Sequence, residues 1–220
     1  MQKIIISFKN KNLFKQALTH RSWVNENSEN YGTNERLEFL GDAILEFIVS
    51  KEIYTKFPVE EEGYLTSLRA NLVNTKNLSG VAIKLGIGEM IFLSKGEEDG
   101  GGRTNPSLLA DTVEAVIGAL FIDQGIEASA KFIEDYILID TDEKASLPLK
   151  DPKSLLQEKI QATSLPAPKY QVISEDGPDH NKKFTIEVVI NGKSVARGVG
   201  KSKSEAEQDA ATNALKDVVK

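Results

Sequence analysis

One uninterrupted helical stretch decides the fold of this chain, and it reads Asn34-Glu35-Arg36-Leu37-Glu38-Phe39-Leu40-Gly41-Asp42-Ala43-Ile44-Leu45-Glu46-Phe47-Ile48-Val49-Ser50. Apolar residues cover more than one stripe of such a helix, as is typical of a helix buried in a bundle. Its acids Glu38, Asp42 and Glu46 recur at every fourth position and share one face. The stretch carries no basic residue after Arg36. Because buried carboxylates without partners are unfavourable, compensation must come from outside the helix, and a divalent cation is a natural candidate.

The composition is that of an ordinary globular protein. Of 220 residues, 40% are hydrophobic and 27% charged, which suits one or two domains. The chain has no cysteine and only two histidines, which excludes disulfides, thiolate zinc sites and a cysteine nucleophile. Any metal must therefore be held by oxygen ligands. No apolar run approaches the roughly 18 residues of a membrane span, and the first residues lack a signal-peptide pattern, so we expect a cytoplasmic protein with no membrane partner.

The net charge of −6 is unevenly distributed. Residues 1–150 carry 16 basic and 23 acidic side chains, whereas residues 151–220 carry 11 basic and 10 acidic ones. A polyanion responds to the local patch of charge, so the acidic total does not exclude nucleic acid as a partner of the second part.

Helical periodicity dominates the first 140 residues, in which no convincing strand occurs. Thr33 or Asn34 is expected to cap the central helix. The segment 94–103 is rich in glycine and predicts a mobile loop. Besides the central helix, the apolar spacing predicts helices over residues 10–20, 60–85, 105–124 and 126–139. We therefore expect an all-α domain over residues 1–144.

A second pair of acids, Asp111 and Glu114, lies in the apolar helix predicted over 105–124, which has no basic residue. The two acids are three positions apart and share a face. Brought together with Glu38 and Asp42, they would form a cluster of four carboxylates that could not stay ionised without cations. Oxygen ligands in that number suit Mg²⁺ or Mn²⁺, ions that activate water against a phosphodiester.

A plainer interpretation is that each acidic pair is a solvated helix face, since such spacing is common by chance. Glu46 favours this interpretation, because it continues the first row without any catalytic need. Two pairs on separate apolar helices, both lacking basic partners, favour a metal site instead. Spacing alone leaves both interpretations open.

The pattern changes after residues 145–152, a polar segment interrupted by proline that we interpret as a linker. Beyond it, residues 153–220 predict a small α+β domain of the order α-β-β-β-α. Ser204, with Glu207 three positions later, is expected to be the N-cap of the last helix. The predicted elements are a helix over 153–162, strands over 169–175, 182–191 and 194–200 with a hairpin turn at 191–192, and a helix over 205–218.

Basic residues gather at two points of this second domain. Lys201 and Lys203 precede the last helix, where backbone N–H groups and the helix N-terminus favour an anion. Lys182 and Lys183 lie beside His180 in the loop before the second strand. Lysines near a helix start are usually solvated surface, but with this order of elements they indicate a protein that binds phosphate backbones.

Five motifs carry a family resemblance. They are ERLEFLGD at 35–42, LADTVEA at 109–115, ALTHRS at 17–22, GPDH at 177–180 and KSKSEAEQ at 201–208. The first two resemble the signature and the second acidic motif of bacterial ribonuclease III, and the third resembles its N-terminal motif. The last two resemble the double-stranded-RNA-binding domain of that family. Together they extend the resemblance over nearly the entire chain.

The resemblance implies a Mg²⁺-dependent endonuclease that acts as a homodimer and cuts both strands of double-stranded RNA. Its products would carry 5′-phosphates and 3′-hydroxyls with short 3′ overhangs, and its task would be the processing of rRNA and mRNA precursors. Mn²⁺ would be an acceptable substitute for Mg²⁺.

The resemblance also assigns residues. Metal binding and catalysis would fall to Glu38, Asp42, Asp111 and Glu114, with Glu62 as a supporting acid. The positions that would contact RNA are Gln157, Gln161, His180, Lys182, Lys201 and Lys203.

Two residues depart from the family pattern. Ser204 stands where many relatives have a second basic residue, which predicts weaker and less salt-sensitive RNA binding but a better helix cap. Glu46 adds an acid, which we leave outside the site and expect to affect only local electrostatics. Two other functions remain open: a non-catalytic dimer that binds double-stranded RNA, and a metal-dependent hydrolase with another phosphate substrate.

Overall fold

The computed structural model of the chain describes residues 8–27, 32–178 and 182–218. The chain divides into two compact units between Leu149 and Lys150.

The first unit is helical, as predicted. Within its described residues no strand forms, and extended pairing is limited to one isolated bridge between Thr19 and Phe92. No helix of the described chain has both the length and the apolar character needed to cross a lipid bilayer. The α-helices of this unit are α1 Lys11–Ala17, α2 Arg21–Glu26, α3 Glu35–Lys56, α4 Glu62–Val73, α5 Thr75–Leu85, α6 Lys95–Asp99, α7 Pro106–Gln124, α8 Ile126–Tyr136 and α9 Thr141–Ser146.

Helices α3 and α7 form the centre of this unit. Almost every residue of α7 from Leu109 to Leu120 is buried, because the helix is apolar on most sides. It begins at Pro106, whose missing N–H is not needed there, and the Asn105 side chain accepts hydrogen bonds from the first free N–H groups. Helix α3 buries one face, which includes Leu45, Ile48 and Val49, and leaves Phe39 and Phe47 on the opposite side.

Two predictions for the first unit are wrong. The helix expected over 60–85 is two helices, because Asn74 has extended backbone and its side chain caps α5 by accepting from the Asn77 N–H. The segment 94–103, expected to be a loop, contains α6 and a 3-10 turn over Gly102–Thr104. Ser94 caps α6 through its hydroxyl, and the helix forms although Gly96 lies within it; the other three glycines of the segment follow the helix.

Helix α9 and the residues after it are attached to the first unit. The Tyr64 hydroxyl donates to the Ala145 carbonyl at 3.2 Å, and the Asn71 amide donates to the Leu149 carbonyl at 2.8 Å. The start of the predicted linker, residues 145–152, therefore makes contacts within this unit. Its role as a linker stays a prediction.

The second unit has the predicted order α-β-β-β-α. Its elements are α10 Pro152–Ala162, β1 Lys169–Asp176, β2 Lys183–Ile190, β3 Lys193–Gly200 and α11 Lys203–Val218. The antiparallel sheet has the order β1-β2-β3, and the alternating residues Ile186, Val188 and Ile190 of β2 face the helices.

The predicted N-cap of the last helix is wrong by two positions. Helix α11 begins at Lys203, and the Ser202 hydroxyl accepts the Glu205 N–H at 3.1 Å. The Glu205 carboxylate reaches back to accept the Lys201 N–H at 2.7 Å, which completes a close relative of the capping box. Ser204 lies inside the first turn, so it does not provide the better cap that the sequence suggested.

Candidate functional site

Three carboxylates from two helices meet in the first unit. One oxygen of each of Glu38, Asp111 and Glu114 lies within 4.8 Å of the corresponding oxygens of the other two. Glu38 projects from α3, and the other two are one turn apart on α7. All three are half-buried, and within the described chain no lysine or arginine forms an ion pair with any of them. One acid of the first predicted pair, Glu38, and both acids of the second pair therefore come together from separate helices.

Burial and mutual repulsion disfavour the ionised forms of these acids. Burial is the larger cause that raises the pKa of Glu114, to about 8, and the charges of Asp42, Asp111, Glu38 and Glu46 add to it. Burial also raises the pKa of Glu38, with smaller contributions from neighbouring acids including Asp111 and Asp42. A cation at this point would relieve both effects at once.

Asp42 lies at the edge of the cluster. Its side chain is exposed, one turn along α3 from Glu38, and it is not one of the three acids whose oxygens lie within 4.8 Å of one another. Among the charges that raise the Glu114 pKa, that of Asp42 has the largest effect. Asp42 is therefore close enough to act on the cluster electrostatically.

Asp111 has a neighbour to which sequence reasoning gave no role. Burial raises the Asp111 pKa, and the charge of His20 opposes that rise. His20 is held in place at the start of α2, where its Nδ1 lies 2.8 Å from the Ser22 hydroxyl and its backbone N–H donates to the Phe92 carbonyl. The motif ALTHRS contains His20, so the resemblance was the signal that could have identified it.

Two other acids that the sequence analysis discussed, Glu46 and Glu62, have partners outside the cluster. Glu46 forms an ion pair with Arg69 of α4, with the Arg69 Nε at 2.8 Å, and Arg69 also donates to the Ser50 hydroxyl. The extra acid of the row is thus neutralised by a residue that the sequence analysis did not consider. Glu62 begins α4, is exposed, and accepts a hydrogen bond from Thr66 at 2.7 Å. It is not one of the three clustered carboxylates.

The candidate RNA contacts of the second unit lie on its surface. Gln157 and Gln161 are exposed and one turn apart on α10. Lys201 is exposed beside the start of α11, but its backbone N–H is already used by Glu205. His180 lies outside the described residues.

Lys182 and Lys203 are brought together by an acid that the sequence analysis overlooked. The Nζ of Lys203 is 3.0 Å from the Glu175 carboxylate, and the Nζ of Lys182 is 3.8 Å from its other oxygen. Lys203 also lies over the Phe184 ring, 5.7 Å from its centre. No local signal in the sequence pairs residue 175 with residue 203, because the pairing depends on how β1 and α11 are placed.

Comparison with known families and curated proteins accords with these two sites. Residues 10–141 match the family model described as Ribonuclease-III-like, and residues 152–218 match the double-stranded RNA binding motif. A relative named Ribonuclease 3, from Geobacillus kaustophilus (strain HTA426), is 49% identical over 97% of this chain and 87% of its own length. Another Ribonuclease 3, from Bacillus licheniformis, is 46% identical over 97% of this chain and 86% of its own length.

Solved structures agree for the first unit. The nuclease domain of ribonuclease III from Campylobacter jejuni, in a study of structural flexibility in a region involved in dimer formation, is 42% identical to the aligned part of this chain. The TM-score is 0.57, and the match covers 62% of this chain and 92% of that one. Both the fold and the sequence therefore relate the helical unit to this nuclease domain. The chain belongs to the ribonuclease III family of endoribonucleases.

Proposed function

We propose that this protein is a Mg²⁺-dependent endonuclease that cuts both strands of double-stranded RNA and leaves 5′-phosphate and 3′-hydroxyl ends with short 3′ overhangs. Its place would be the cytoplasmic processing of rRNA and mRNA precursors. The observation that carries the proposal is the meeting of Glu38, Asp111 and Glu114 between α3 and α7, with Asp42 one turn away. The same convergence favours a nuclease over a non-catalytic RNA-binding dimer.

The acid cluster fits a hard divalent cation. Its donors are all carboxylate oxygens, it contains no nitrogen or sulfur ligand, and its charge has no lysine or arginine partner among the described residues. Glu38, Asp111 and Glu114 would hold Mg²⁺ or Mn²⁺, and Asp42 would add charge from the edge. When bound, the ion supplies Lewis-acid chemistry that activates water and stabilises the departing oxygen of a phosphodiester.

The chain's own residues prepare the site. Glu114 keeps a proton near neutral pH, because its pKa is raised to about 8, and it must release that proton to become a ligand. The backbones of α3 and α7 are in close contact beside the carboxylates, which would limit how far the two helices can move apart and so help to orient the metal ligands. Glu62 keeps the supporting role that the family resemblance suggests.

The second unit would bind the RNA and keep the protein attached to it. Duplex RNA is recognised by its shape, through 2′-hydroxyl and phosphate contacts across successive minor grooves. Gln157 and Gln161 on α10 present amides suited to hydroxyl groups, while Lys182, Lys201 and Lys203 present charges suited to phosphates. His180 completes this set as a proposal from the sequence.

A second copy of the chain is the proposed partner of the first unit. Helix α3 exposes Phe39 and Phe47, eight residues apart on one face, with 80% and 60% of their surfaces accessible. Large aromatic side chains exposed together mark an interface. The Campylobacter jejuni nuclease domain has a region involved in dimer formation.

Analytical ultracentrifugation tests the dimer. We expect the wild-type protein to sediment as a dimer and Phe39→Glu as a monomer. The control, Ile83→Glu at an exposed position of α5, should remain a dimer. A dimeric Phe39→Glu would contradict the proposed interface.

Cleavage of a labelled duplex RNA tests the catalytic proposal. We expect cutting by wild-type protein with Mg²⁺ and none with EDTA. Glu114→Gln should abolish cleavage while leaving RNA binding nearly intact, because the second unit is unchanged. Glu52→Gln, a matched loss of one acid on α3, should cut at the wild-type rate, since Glu52 pairs with Lys51. Robust cutting by Glu114→Gln under the same Mg²⁺ would refute the assignment.

Competition separates the remaining alternative, a hydrolase with a different phosphate substrate. Unlabelled duplex RNA should suppress cleavage and binding far more strongly than duplex DNA of the same sequence, because DNA lacks the 2′-hydroxyl groups. Equal competition by the two duplexes would favour that alternative.

A further inference from the structure

Glu175 connects two of the lysines that the second unit is proposed to present to RNA. One carboxylate oxygen is 3.0 Å from the Nζ of Lys203, and the other is 3.8 Å from the Nζ of Lys182. The hydrogen bond from Lys203, followed by the charges of both lysines, lowers the pKa of Glu175. Each side chain keeps more than a third of its surface exposed. The result is a solvent-facing triad with two positive charges and one negative charge.

The fold brings this triad together from three separate places in the sequence. Glu175 is opposite Phe184 in the β1–β2 register, near the end of both strands. Lys182 comes just before β2, on the same side of that hairpin. Lys203 is the first residue of α11, and the Phe184 ring lies under its ammonium group. Both ammonium groups therefore point to one spot at the end of the sheet.

We infer that Glu175 occupies the place of an RNA phosphate and that RNA must displace it, so that this residue sets the affinity and the salt dependence of RNA binding. The inference rests on the proposed function and adds a residue to it. A carboxylate that reaches two ammonium groups with its two oxygens makes the contacts that two phosphate oxygens would make. The ion pairs are exposed and therefore weak, which lets a polyanion replace them.

Electrostatics determines the direction of the effect. Glu175→Gln removes one negative charge and so raises the net charge of the triad by one. In a plot of the logarithm of the binding constant against the logarithm of salt concentration, each neutralised phosphate contributes about −0.9 to the slope. The slope for Glu175→Gln should therefore be steeper than that for wild type by about 0.9. Loss of two exposed ion pairs from the free protein should raise affinity at low salt roughly three- to tenfold.

The experiment measures binding of the full chain to a fluorescent RNA duplex longer than about 16 base pairs, by anisotropy over a series of salt concentrations, with EDTA present to prevent cleavage. The matched control is Glu187→Gln. Glu187 is also an acid of this sheet held by a cation, Arg197 at 3.1 Å, but that cation is not among the proposed RNA contacts. A Lys203→Ala background tests whether the effect of Glu175 acts through the lysine.

We expect Glu175→Gln to bind more tightly and with a steeper salt slope, Glu187→Gln to bind within about twofold of wild type, and the gain from Glu175→Gln to shrink in the Lys203→Ala background. Unchanged or weaker binding by Glu175→Gln, or an equal gain in Glu187→Gln, would overturn the inference and leave the nuclease proposal standing. Failure of the wild-type protein itself to bind duplex RNA would instead overturn the proposed function.

Discussion

Gly41 and Gly118 lie against each other where α3 and α7 cross. A β-carbon built on Gly118 would be 2.2 Å from the Leu37 carbonyl oxygen and 3.0 Å from the Gly41 nitrogen. A β-carbon on Gly41 would be 1.8 Å from the Glu114 carbonyl oxygen. The two helix backbones are thus in direct contact at this point. Because Glu38 and Glu114 lie within a turn of the crossing, this contact brings the acids of the two helices together.

Gly41→Ala should strongly destabilise the first unit, since the added methyl group cannot fit beside a backbone carbonyl. We expect a loss of about 3 kcal/mol in the free energy of unfolding, measured by urea denaturation. Gly80→Ala in α5 is the matched control, because a β-carbon there meets no atom within 4 Å. Alanine has the higher helix propensity, so this control should gain roughly 0.5–1 kcal/mol. Equal effects of the two substitutions would contradict the close crossing.

The stability of the metal-free protein should depend on the ionisation of Glu114. Its pKa is raised from 4.5 to about 8 in the folded state, so the folded chain keeps a proton that the unfolded chain releases above pH 4.5. This contribution therefore falls as pH rises through that window and levels off above about 8. The free energy of unfolding of wild type, minus that of Glu114→Gln, should decrease over the same range in EDTA. A difference that is flat with pH would show that Glu114 titrates normally.

Metal binding should stabilise the first unit through the acid cluster. At a Mg²⁺ or Mn²⁺ concentration about 100 times the dissociation constant, the expected gain is about 2.7 kcal/mol, seen as a higher melting temperature. Glu38→Gln and Asp111→Asn should each lose most of this gain, whereas Glu52→Gln should keep it. Binding at neutral pH should also release protons, detectable by calorimetry in buffers of different ionisation enthalpy. A metal-induced gain that survives in Asp111→Asn would place the ion elsewhere.

Arg103 should be the residue that orders the glycine-rich segment. Its Nη1 donates to the Gly88 and Ile91 carbonyls at 2.9 and 3.1 Å, and its Nε donates to Glu98 at 2.7 Å. Arg103→Ala leaves these acceptors without a donor and should cost about 2–3 kcal/mol of stability, with faster proteolysis in this segment. Arg103→Lys should recover only part of the loss, because an ammonium group cannot reproduce the planar set of donors. Full recovery by lysine would mean that charge alone matters.

The N-terminus of α11 should depend on Ser202 and not on Ser204. Removal of the Ser202 hydroxyl deprives the Glu205 N–H of its acceptor, so Ser202→Ala should lower the stability of the second unit by about 1 kcal/mol. Hydrogen exchange should quicken in the first turn of α11. Ser204→Ala lies inside the helix and should change little. A larger loss of stability in Ser204→Ala than in Ser202→Ala would contradict the cap at Ser202 and favour Ser204 as the N-cap.

Local pattern accounts for much of the agreement between sequence and structure. Apolar spacing of 3.6 residues predicted α3 and α7, and alternation predicted β2, because these periods depend only on which side of each element is buried. The same arithmetic placed Glu38 and Asp42 on one helix face and Asp111 and Glu114 on another.

The predictions that failed depended on particular side-chain hydrogen bonds, which periodicity does not reveal. The break at Asn74 depends on a side-chain cap that competes with continued helix. The order of the segment 94–103 depends on Arg103 reaching carbonyls up to 15 residues away. The start of α11 depends on Glu205 turning back to the Lys201 N–H. Each failure therefore came from side-chain hydrogen bonding, local at Asn74 and Glu205 and long-range at Arg103.

By itself, the sequence determined three things. It placed two pairs of acids each on one face of a helix, it left oxygen atoms as the metal ligands because cysteine is absent and histidine is scarce, and it gave the α-β-β-β-α order of the second unit. These follow from residue chemistry and from the repeat of each element. The tertiary structure alone decided that three of the acids share one site, that Arg69 neutralises Glu46, and that Glu175 holds Lys182 and Lys203. The physical reason is that such meetings depend on the distance between two backbones, and at Gly41 and Gly118 that distance is short only because neither residue has a side chain.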